Sequence, residues 1–512
     1  MKRELLHPLP SELRAAVEQE WNRLERENEL LKEEVRRLRL AKYGVKRDQL
    51  SDGQLSLLEE EPGVTDAEVE SESQRSEEEK RATERRPRAP RQHPGRAELP
   101  PNLERIEKIL ACTPEQCRCA QCGGEKKLIG YDTSEELDLK EPEYFVNVIK
   151  REKRACGQCE EMGVSTAALD QPKIVEKGKA SNAVVVDVVI KKYCDHQPLY
   201  RQAMILEREI GIELSRMTLC GWVMQVGTWL EAVCGAMRAD LFAGRYIQAD
   251  ETPVGVQSEQ SVGKNHRSYF WQYSRPGGPV IFDFQMGRSR EGPAKFLGKF
   301  DGVLQTDGYA AYDKIGGQGM VHAGCMAHLR RGFIDALKLA PGHAAAEAIV
   351  LGIAELYAVE KRAREAGMTA DDRERLRQME SVPALERLKG QIVALRQEVL
   401  PKSALGKACD YALGQWARVE VYASHGEVEI DNNWCENAMR PVALGRKNWL
   451  HIGSEEAGPR IAAITSVIET CRRLGINPRE YLLDVLPKIP TWPAKRIAEL
   501  TPMAWAAQRP SR

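Results

Sequence analysis

The sequence predicts a multidomain α+β protein, and three observations lead to that prediction. The first is a heptad pattern of apolar residues near the N-terminus, which is typical of a coiled-coil helix. The second is a pair of Cys-x-x-Cys motifs. The third is a strand-rich block at about 245–310 followed by a long helical stretch. Because 512 residues exceed what a single core usually supports, we expect several folded units joined by linkers.

The composition is that of a soluble globular protein, with 42% hydrophobic residues, 29% charged residues and a net charge of −1. No run of about 18 apolar residues exists, so we expect no membrane span. The N-terminal residues lack the apolar core of a signal peptide, which favours the cytoplasm. Thirteen cysteines fit thiols and metal ligands there better than a disulfide framework. The near-zero charge does not indicate a nucleic-acid partner.

The first segment, 1–45, is predicted to form one amphipathic helix at about 11–41. The heptad a positions hold Trp21, Asn28 and Val35, and the d positions hold Val17, Leu24, Leu31 and Leu38. A polar Asn at an a position fixes the register and favours a parallel dimer. We therefore predict a homo-oligomer, at least a dimer. A surface helix packed on its own protein is the alternative.

The next segment, 46–102, is predicted to be a disordered charged linker. Its 59–79 stretch is densely acidic and its 81–96 stretch is rich in Arg and Pro, so neither buries enough apolar surface to fold. The basic half could contact phosphates without sequence preference. A solvated tether whose opposite charges partly neutralise each other is an equally good interpretation.

Residues 103–165 are predicted to form a zinc-ribbon-like module. The expected ligands are Cys119, Cys122, Cys156 and Cys159. Two such knuckles supply the four thiolates that structural Zn²⁺ prefers, although the loop between them is longer than usual. Unrelated buried thiols are the alternative, Cys117 could compete as a ligand, and Cys112 is spare. Such a closed site would be structural, not catalytic.

A helical region is predicted at 166–243, and the strand-rich block comes after it. We expect its first strand to run into Asp250, because Pro253 restricts the backbone beyond that point. Strands at 269–273 and 280–284 would complete a meander, and a helix at about 292–300 leads to a strand that ends at Asp307. Gly308 then permits a turn or a close backbone approach.

A helical insertion is predicted at about 325–420, and the segment DNNWCENAMRP after it reads as a helix capped by Asn432 or Asn433. Glu436 lies in the first turns of that helix. Helices close the chain at 453–512, where an apolar stripe around Ile464 is expected to pack in the core.

Carboxylates at strand ends and on a helix could converge on divalent ions, which are hard and prefer oxygen ligands. Spacing alone does not select them, because the chain has 76 acidic residues. Equally eligible carboxylates stand at Glu251, Asp283, Asp301, Asp313 and Asp431. On spacing alone, a solvated surface side chain is the better interpretation of each.

Over most of its length the chain resembles the insertion sequence 66 family of transposases. The matching stretches run in the family's order, beginning with the heptad helix, KYGVKRDQLS, CAQCGG, RACGQCE and KYCDHQPLYRQAMILEREIGIELSRMTLCGWV. They continue with ADETPV, TDGYAAYD, CMAHLRRGF and EIDNNWCENAMRPVALGRKNWLHIGSEEAG. Cys117 and Cys435 are the positions that fit the pattern less tightly.

The resemblance implies a ribonuclease-H-like catalytic core at 244–452 with a DDE-type set of Asp250, Asp307 and Glu436. It implies that these carboxylates hold Mg²⁺ or Mn²⁺ for strand cleavage and joining at the ends of a mobile element. The implied partner is DNA, as terminal inverted repeats and as target, bound in part by the 166–243 region. Accessory transposition proteins are a further possible partner, and the DNA-bound protein would lie with the nucleoid.

Basic residues near these motifs are candidates for phosphate contact, because Arg offers bidentate hydrogen bonds and Lys a point charge. The candidates are Arg330, Arg331, Arg440, Arg446 and Lys447. Ordinary surface basicity explains them equally well. The pair Cys325 and His328, a Cys-x-x-His motif, could be half of a metal site, but we favour a structural role in a buried hydrogen-bond network.

Two other functions compete with a transposase. One is a dimeric zinc-ribbon DNA-binding protein without catalysis, and the other is a nuclease on the same core that cuts but does not join. The complete carboxylate set favours an enzyme over the binding protein.

Overall fold

The structure is a computed structural model that describes residues 11–43, 121, 125, 144–155, 164–169, 171–176, 178–258, 264–340 and 342–509. The chain divides into two units, one made of residues 77–167 and the other of the remainder. Both helices and a mixed sheet are present, which confirms the mixed α and β class. The predicted linker at 46–102 lies outside the described residues. Among the helices that the structure describes, none has the length and apolar character of a membrane span.

The smaller unit contains two short strands, β1 (Lys153–Ala155) and β2 (Val164–Thr166), which pair in antiparallel fashion. The stretch 144–152 before β1 has no regular secondary structure, and Phe145 and Val146 are exposed. The predicted knuckle cysteines and their two neighbours lie outside the described residues. They are Cys112, Cys117, Cys119, Cys122, Cys156 and Cys159.

Helix α1 (Ser11–Tyr43) is a single continuous helix over the segment in which the heptads predict one. Three of its four d-position residues are exposed, at 51% for Leu24, 59% for Leu31 and 54% for Leu38, whereas Val17 is partly buried. One side of the helix contacts the rest of its unit, where Glu33 Oε1 accepts a hydrogen bond from the Ala404 backbone at 2.7 Å. Among the described residues, the leucines of the heptad seam therefore form an exposed apolar surface.

A six-stranded sheet forms the centre of the larger unit, in the order β5-β4-β3-β6-β7 with β8 also paired to β3. Its strands are β3 (Tyr246–Val256), β4 (His266–Ser274), β5 (Val280–Gln285), β6 (Val303–Gln305), β7 (Val321–Ala323) and β8 (His451–Ile452). The first three form the predicted antiparallel meander. Strands β6 and β7 then continue the sheet in parallel with β3, because the chain crosses over between them.

Helices surround this sheet and form most of the unit. In chain order they are α2 (Asn182–Tyr193), α3 (Leu199–Ile210), α4 (Arg216–Ala243), α5 (Glu291–Leu297), α6 (Met326–Leu339), α7 (Ala344–Glu365), α8 (Ala370–Leu376), α9 (Val382–Glu398), α10 (Ala404–Val419), α11 (Asn433–Trp449), α12 (Ala457–Arg473), α13 (Pro478–Val485) and α14 (Pro502–Ala507). Helices α6 to α10 occupy the stretch where the sequence predicts a helical insertion.

Helix α12 covers the open edge of β5, which would otherwise expose unpaired backbone groups. The hydroxyl of Ser466 accepts a hydrogen bond from Phe282 N at 2.8 Å, and that of Thr470 accepts one from Val280 N at 3.0 Å. The apolar stripe of the same helix, including Ile464, is buried in the core as expected. This helix therefore stabilises the sheet through both polar and apolar contacts.

The helical insertion has a buried group of charges that we call the insertion ion cluster, formed by Glu360, Arg373 and Arg377. The side chains of Glu360 and Arg377 are each 1% exposed, and two guanidinium nitrogens of Arg377 donate to Glu360 at 2.7 Å. Arg377 also donates to the carbonyls of Tyr422 and His425 at 2.8 and 2.9 Å. This cluster ties α7 to the turns that lead out of the insertion.

Candidate active site

Strand β3 does not end at Asp250, as the sequence suggested, but continues through Pro253 to Val256. On the side away from β4, the described strands pair with β3 only at 246–248 and at 255–256. The intervening stretch has no strand partner on that side. A proline is compatible with a strand where one edge needs no ladder hydrogen bonds, so the gap explains how β3 passes through Pro253.

The sheet register brings Asp250 and Asp307 to the same level. Gln248 of β3 pairs with Gln305 of β6 in parallel, and each aspartate lies two residues later. Gln248 Nε2 donates to Gln305 Oε1 at 2.9 Å, so both side chains lie on one face of the sheet. Because strand side chains alternate between faces, Asp250 lies on that face with them.

Asp307 stands just beyond β6 in a turn whose geometry its own side chain fixes. Its Oδ1 accepts a hydrogen bond from Tyr309 N at 2.8 Å, and its carbonyl accepts one from the Tyr411 hydroxyl at 2.8 Å. Gly308 has a φ of +90°, and a Cβ there would meet Gln415 at 2.9 Å. The turn that Gly308 was expected to permit after the aspartate is confirmed by its positive φ.

The same glutamine pair holds the start of α11. Gln248 Oε1 accepts a hydrogen bond from Cys435 N at 3.1 Å, and its Nε2 donates to the Asp431 carbonyl at 2.8 Å. Gln305 Nε2 donates to the Glu429 carbonyl at 2.8 Å. These hydrogen bonds place Glu436, the residue after Cys435, at the sheet face that carries Asp250.

The cap of α11 differs from the expectation. Asn432 occupies the capping position, but its side chain makes no capping hydrogen bond. Instead Asp431 Oδ1 accepts from Asn433 N at 3.1 Å, while its Oδ2 accepts from the Tyr357 hydroxyl at 2.6 Å. A carboxylate at this end of the helix also interacts favourably with the positive end of the helix dipole.

We call Asp250, Glu251, Asp307 and Glu436 the carboxylate centre. Burial raises the pKa of Asp250 well above its usual range, and the negative charges of Glu251, Glu436 and Asp307 raise it further. Burial also raises the pKa of Glu251, against the effect of its hydrogen bond from Arg288. The three carboxylates predicted from the sequence therefore act on one another through space.

Glu251 belongs to the opposite face of β3 and has its own partners. It accepts hydrogen bonds from Arg288 Nε and from the Tyr312 hydroxyl, both at 3.0 Å. The Arg288 guanidinium in turn lies 3.9 Å from the centre of the Tyr309 ring. Glu251 is thus neutralised, whereas no described ion pair joins Asp250 or Asp307 to a basic side chain.

Glu436 faces the start of α6. His328 Nδ1 lies 3.5 Å from its Oε1, and Arg331 Nη2 lies 3.5 Å from its Oε2. Cys325, at the start of α6, completes a group whose possible ligand atoms all lie within 4.8 Å of one another. The Cys-x-x-His pair, for which we favoured a purely structural role, therefore lies beside the carboxylate centre.

The basic candidates for DNA contact fall in different surroundings. Arg331 is exposed beside Glu436, and Arg330 is partly buried on the same helix. Arg446 donates to the Thr252 hydroxyl at 2.9 Å and to the Pro253 carbonyl, which fills the unpaired edge of β3. Its guanidinium therefore has a structural role that the sequence did not indicate. Arg440 is partly buried and Lys447 is exposed on α11.

Sequence reasoning missed Gln248, Gln305 and Tyr357, which position the centre without bearing its charge. All three are buried polar side chains with hydrogen bonds across more than fifty residues of chain. An available signal was the recurrence of a glutamine two residues before each aspartate, in IQAD and LQTD. The Tyr357 contact had no such local pattern.

The fold and site define a mixed α/β protein with a buried multi-carboxylate centre at the middle of its sheet. Family comparisons agree with the motif resemblance. The model described as "Transposase IS66 family" matches residues 177–460, and "IS66 C-terminal element" matches 466–503. The model for the "zinc-finger binding domain of transposase IS66" matches 116–160, and "Transposase C of IS166 homeodomain" matches 30–107. The chain belongs to the IS66 family of transposases.

Relatives are similar over nearly the whole chain. Uncharacterized protein y4qI of Sinorhizobium fredii is 33% identical over 91% of this chain and 87% of its own length. Uncharacterized protein y4jD of the same organism is 32% identical over 80% of this chain and 82% of its own. The zinc-finger match covers all four predicted cysteine ligands and supports a structural zinc.

Proposed function

We propose that this chain is a DNA transposase that cleaves and joins strands at the ends of a bacterial insertion sequence, with Asp250, Asp307 and Glu436 as its catalytic carboxylates. The observation that carries the proposal is their convergence. Gln248 and Gln305 align the two aspartates in adjacent parallel strands and also fix the start of the helix that bears the glutamate. Family membership supplies DNA as the substrate class.

The topology of the sheet supports a ribonuclease-H-like core. Three antiparallel strands, β3 to β5, are followed by two strands parallel to the first, in the order β5-β4-β3-β6-β7. Helices pack on both faces, and the acidic residues come from the first strand, the end of the fourth strand and a later helix. The insertion α6 to α10 lies between the second and third carboxylates, where the family resemblance places it.

The residues of the centre fit a hard divalent ion such as Mg²⁺ or Mn²⁺. Asp250, Asp307 and Glu436 offer oxygen ligands, which these ions prefer, and Glu436 Oε1 is buried with no hydrogen-bond partner in the described part of the chain. When bound, a pair of such ions activates the attacking oxygen and stabilises the leaving oxygen of an in-line displacement. Burial and the neighbouring carboxylates raise the pKa of Asp250, and the hydrogen bond that its Oδ1 accepts from Glu251 N at 2.8 Å offsets part of this effect.

The surrounding residues have separate tasks in this proposal. Gln248 and Gln305 orient the elements that carry the carboxylates, and Arg331 balances the charge of Glu436. Arg330, Arg331, Arg440 and Lys447 are proposed to contact DNA phosphates. Arg446 has a different task, because its guanidinium binds Thr252 and Pro253 and so holds the edge of β3. Phosphate contacts supply most of the salt-dependent affinity for DNA.

We also propose that α1 joins two copies of the chain as a coiled coil. The support is the exposure of its d-position leucines, each more than half exposed in the single chain. Burying such a seam in a partner helix would recover the hydrophobic free energy that exposure forfeits. Sedimentation should show a dimer that Leu31→Glu dissociates, and an unchanged sedimentation coefficient in the variant would reject the coiled coil.

Strand transfer into a target plasmid, with Mg²⁺ and DNA that carries the element's ends, tests the catalytic assignment. Asp307→Asn should lower the rate by at least about a thousandfold, because metal-ion stabilisation supplies several kcal/mol of the barrier reduction. The matched control is Asp313→Asn, which only breaks an ion pair with Arg418 at 2.7 Å. Equal rates in wild type and Asp307→Asn would refute the assignment, and cleavage without joining would indicate a nuclease.

A further inference from the structure

A mixed set of metal-binding side chains adjoins the carboxylate centre. Cys325 immediately precedes α6 and His328 lies in its first turn, so the two are three residues apart and share one helix face. Glu436 faces them from the first turn of α11. One potential ligand atom from each, a sulfur, a ring nitrogen and a carboxylate oxygen, lies within 4.8 Å of the other two.

Two of the three potential ligand atoms lack a hydrogen-bond partner among the described residues, whereas Cys325 Sγ accepts a hydrogen bond from Asn432 N at 3.5 Å. His328 Nδ1 and Glu436 Oε1 are buried, and neither has a hydrogen-bond partner within the described part of the chain, although they lie 3.5 Å apart. A buried polar atom without a hydrogen-bond partner lowers the stability of the fold. Both atoms can offer lone pairs, so one cation between them would remove both penalties.

We propose that Cys325, His328 and Glu436 form a second metal site that binds Zn²⁺. Thiolate, imidazole and carboxylate are the three ligand types of zinc, whereas Mg²⁺ does not favour sulfur. Three protein ligands leave a fourth position for water. On binding, the Cys325 S–H bond breaks, its proton goes to solvent and a Zn–S bond forms, while His328 ligates as the neutral imidazole.

This site competes with the carboxylate centre because both use Glu436. A zinc ion held by Cys325 and His328 draws the Glu436 carboxylate away from Asp250 and Asp307, so zinc inhibits the Mg²⁺-dependent reaction. The existence of the site does not depend on the proposed function. Only the inhibition rests on it.

Cobalt(II) titration of the full-length protein, purified with its zinc finger filled by zinc, tests the site directly. Wild type should bind one further Co²⁺ and show a sulfur-to-cobalt charge-transfer band. Cys325→Ser should remove that band, and His328→Ala should weaken Co²⁺ binding by at least about tenfold. Cys409→Ser is the matched control, because it alters another buried free thiol outside the cluster and should leave the titration unchanged.

Circular dichroism should show that the variants are folded, and the partly exposed His328 makes its alanine variant the safer of the two. The site would be overturned if wild type, with its zinc finger filled, showed no sulfur-to-cobalt charge-transfer band. It would also be overturned if that band remained in both Cys325→Ser and His328→Ala. In strand transfer, saturating zinc should lower the wild-type rate by at least about tenfold. An undiminished rate at full occupancy would overturn the competition for Glu436. If the protein carried out no strand transfer even in zinc-free buffer, this would count against the proposed function. The cobalt titration would then decide the metal site on its own.

Discussion

The carboxylate centre and the insertion ion cluster both bury several charges, but they differ in how those charges are balanced. Burial acts to raise the pKa of Glu360, yet Arg377 and Arg373 outweigh it and hold that pKa below its usual range. Burial and three neighbouring carboxylates instead raise the pKa of Asp250. Arginine side chains therefore balance the buried carboxylate of the insertion ion cluster. No described ion pair balances Asp250 of the carboxylate centre in the same way.

The difference indicates what each cluster is for. A buried charge with all its partners supplied by the chain fixes the geometry of the fold. A buried carboxylate without a cationic partner lowers stability, and proteins retain such groups mainly at functional sites. We therefore expect substitutions in the two clusters to change stability in opposite directions.

The largest effect is expected in the insertion ion cluster. Arg377→Met would leave Glu360 buried without its main partner, so the free energy of unfolding should fall by about 3–5 kcal/mol. Thermal or urea unfolding of the full chain measures it. The control is Arg362→Met, which breaks an exposed ion pair with Glu380 and should cost no more than about 1 kcal/mol. Equal losses in both variants would show that burial does not distinguish these pairs.

A smaller effect is expected where the insertion meets α11. Tyr357→Phe removes the 2.6 Å hydrogen bond to Asp431 and should lower stability by about 1.5–3 kcal/mol, since the acceptor is a buried carboxylate. Because Asp431 caps the helix that carries Glu436, strand transfer should fall while DNA affinity stays the same. Tyr200→Phe, at an exposed tyrosine on α3, is the control. Unchanged strand transfer in Tyr357→Phe would mean that this contact does not position Glu436.

The smallest effect, and one of opposite sign, is expected at Asp250. In magnesium-free buffer Asp250→Asn should stabilise the protein by about 1 kcal/mol, because it removes an uncompensated buried charge. The folded pKa of Asp250 is raised, so wild type is most stable where this carboxyl is protonated and loses that stability as pH rises. The stability gained by Asp250→Asn over wild type should therefore be absent near pH 4 and should increase as the pH rises above 4.

Melting temperatures of both proteins across that pH range measure the effect. Asp301→Asn, at an exposed carboxylate, should change nothing. A destabilised Asp250→Asn at neutral pH would contradict the idea that the charge is uncompensated.

The sequence predicted the elements that local patterns specify. The meander strands appear at the short runs rich in aromatic and β-branched residues that predict them, and Gly308 has the positive φ of the turn expected after Asp307. The strand through Asp250 was predicted too short. A proline is normally excluded from a central strand, and only the tertiary gap between β6 and β8 permits Pro253 there.

The remaining features depend on contacts between distant residues. His328 approaches Glu436 across more than a hundred residues of chain, and Arg446 donates to the Pro253 carbonyl across 193 residues. No periodicity or spacing encodes such pairs. The sequence therefore favoured a structural role for the Cys-x-x-His motif, and it left Arg446 open between phosphate contact and ordinary surface basicity. Selection of Asp250 and Glu436 among many acidic residues came from the ordered motifs and not from local chemistry.

Manganese binding tests the central claim most directly, because Mn²⁺ is a spectroscopically visible substitute for Mg²⁺. Electron paramagnetic resonance of free Mn²⁺ should show uptake by wild type and by Asp283→Asn, which alters a partly buried carboxylate on β5 outside the centre. Asp250→Asn should bind at least about tenfold more weakly. If Asp250→Asn takes up Mn²⁺ as tightly as wild type, the carboxylate centre does not hold the metal and the proposed mechanism is wrong.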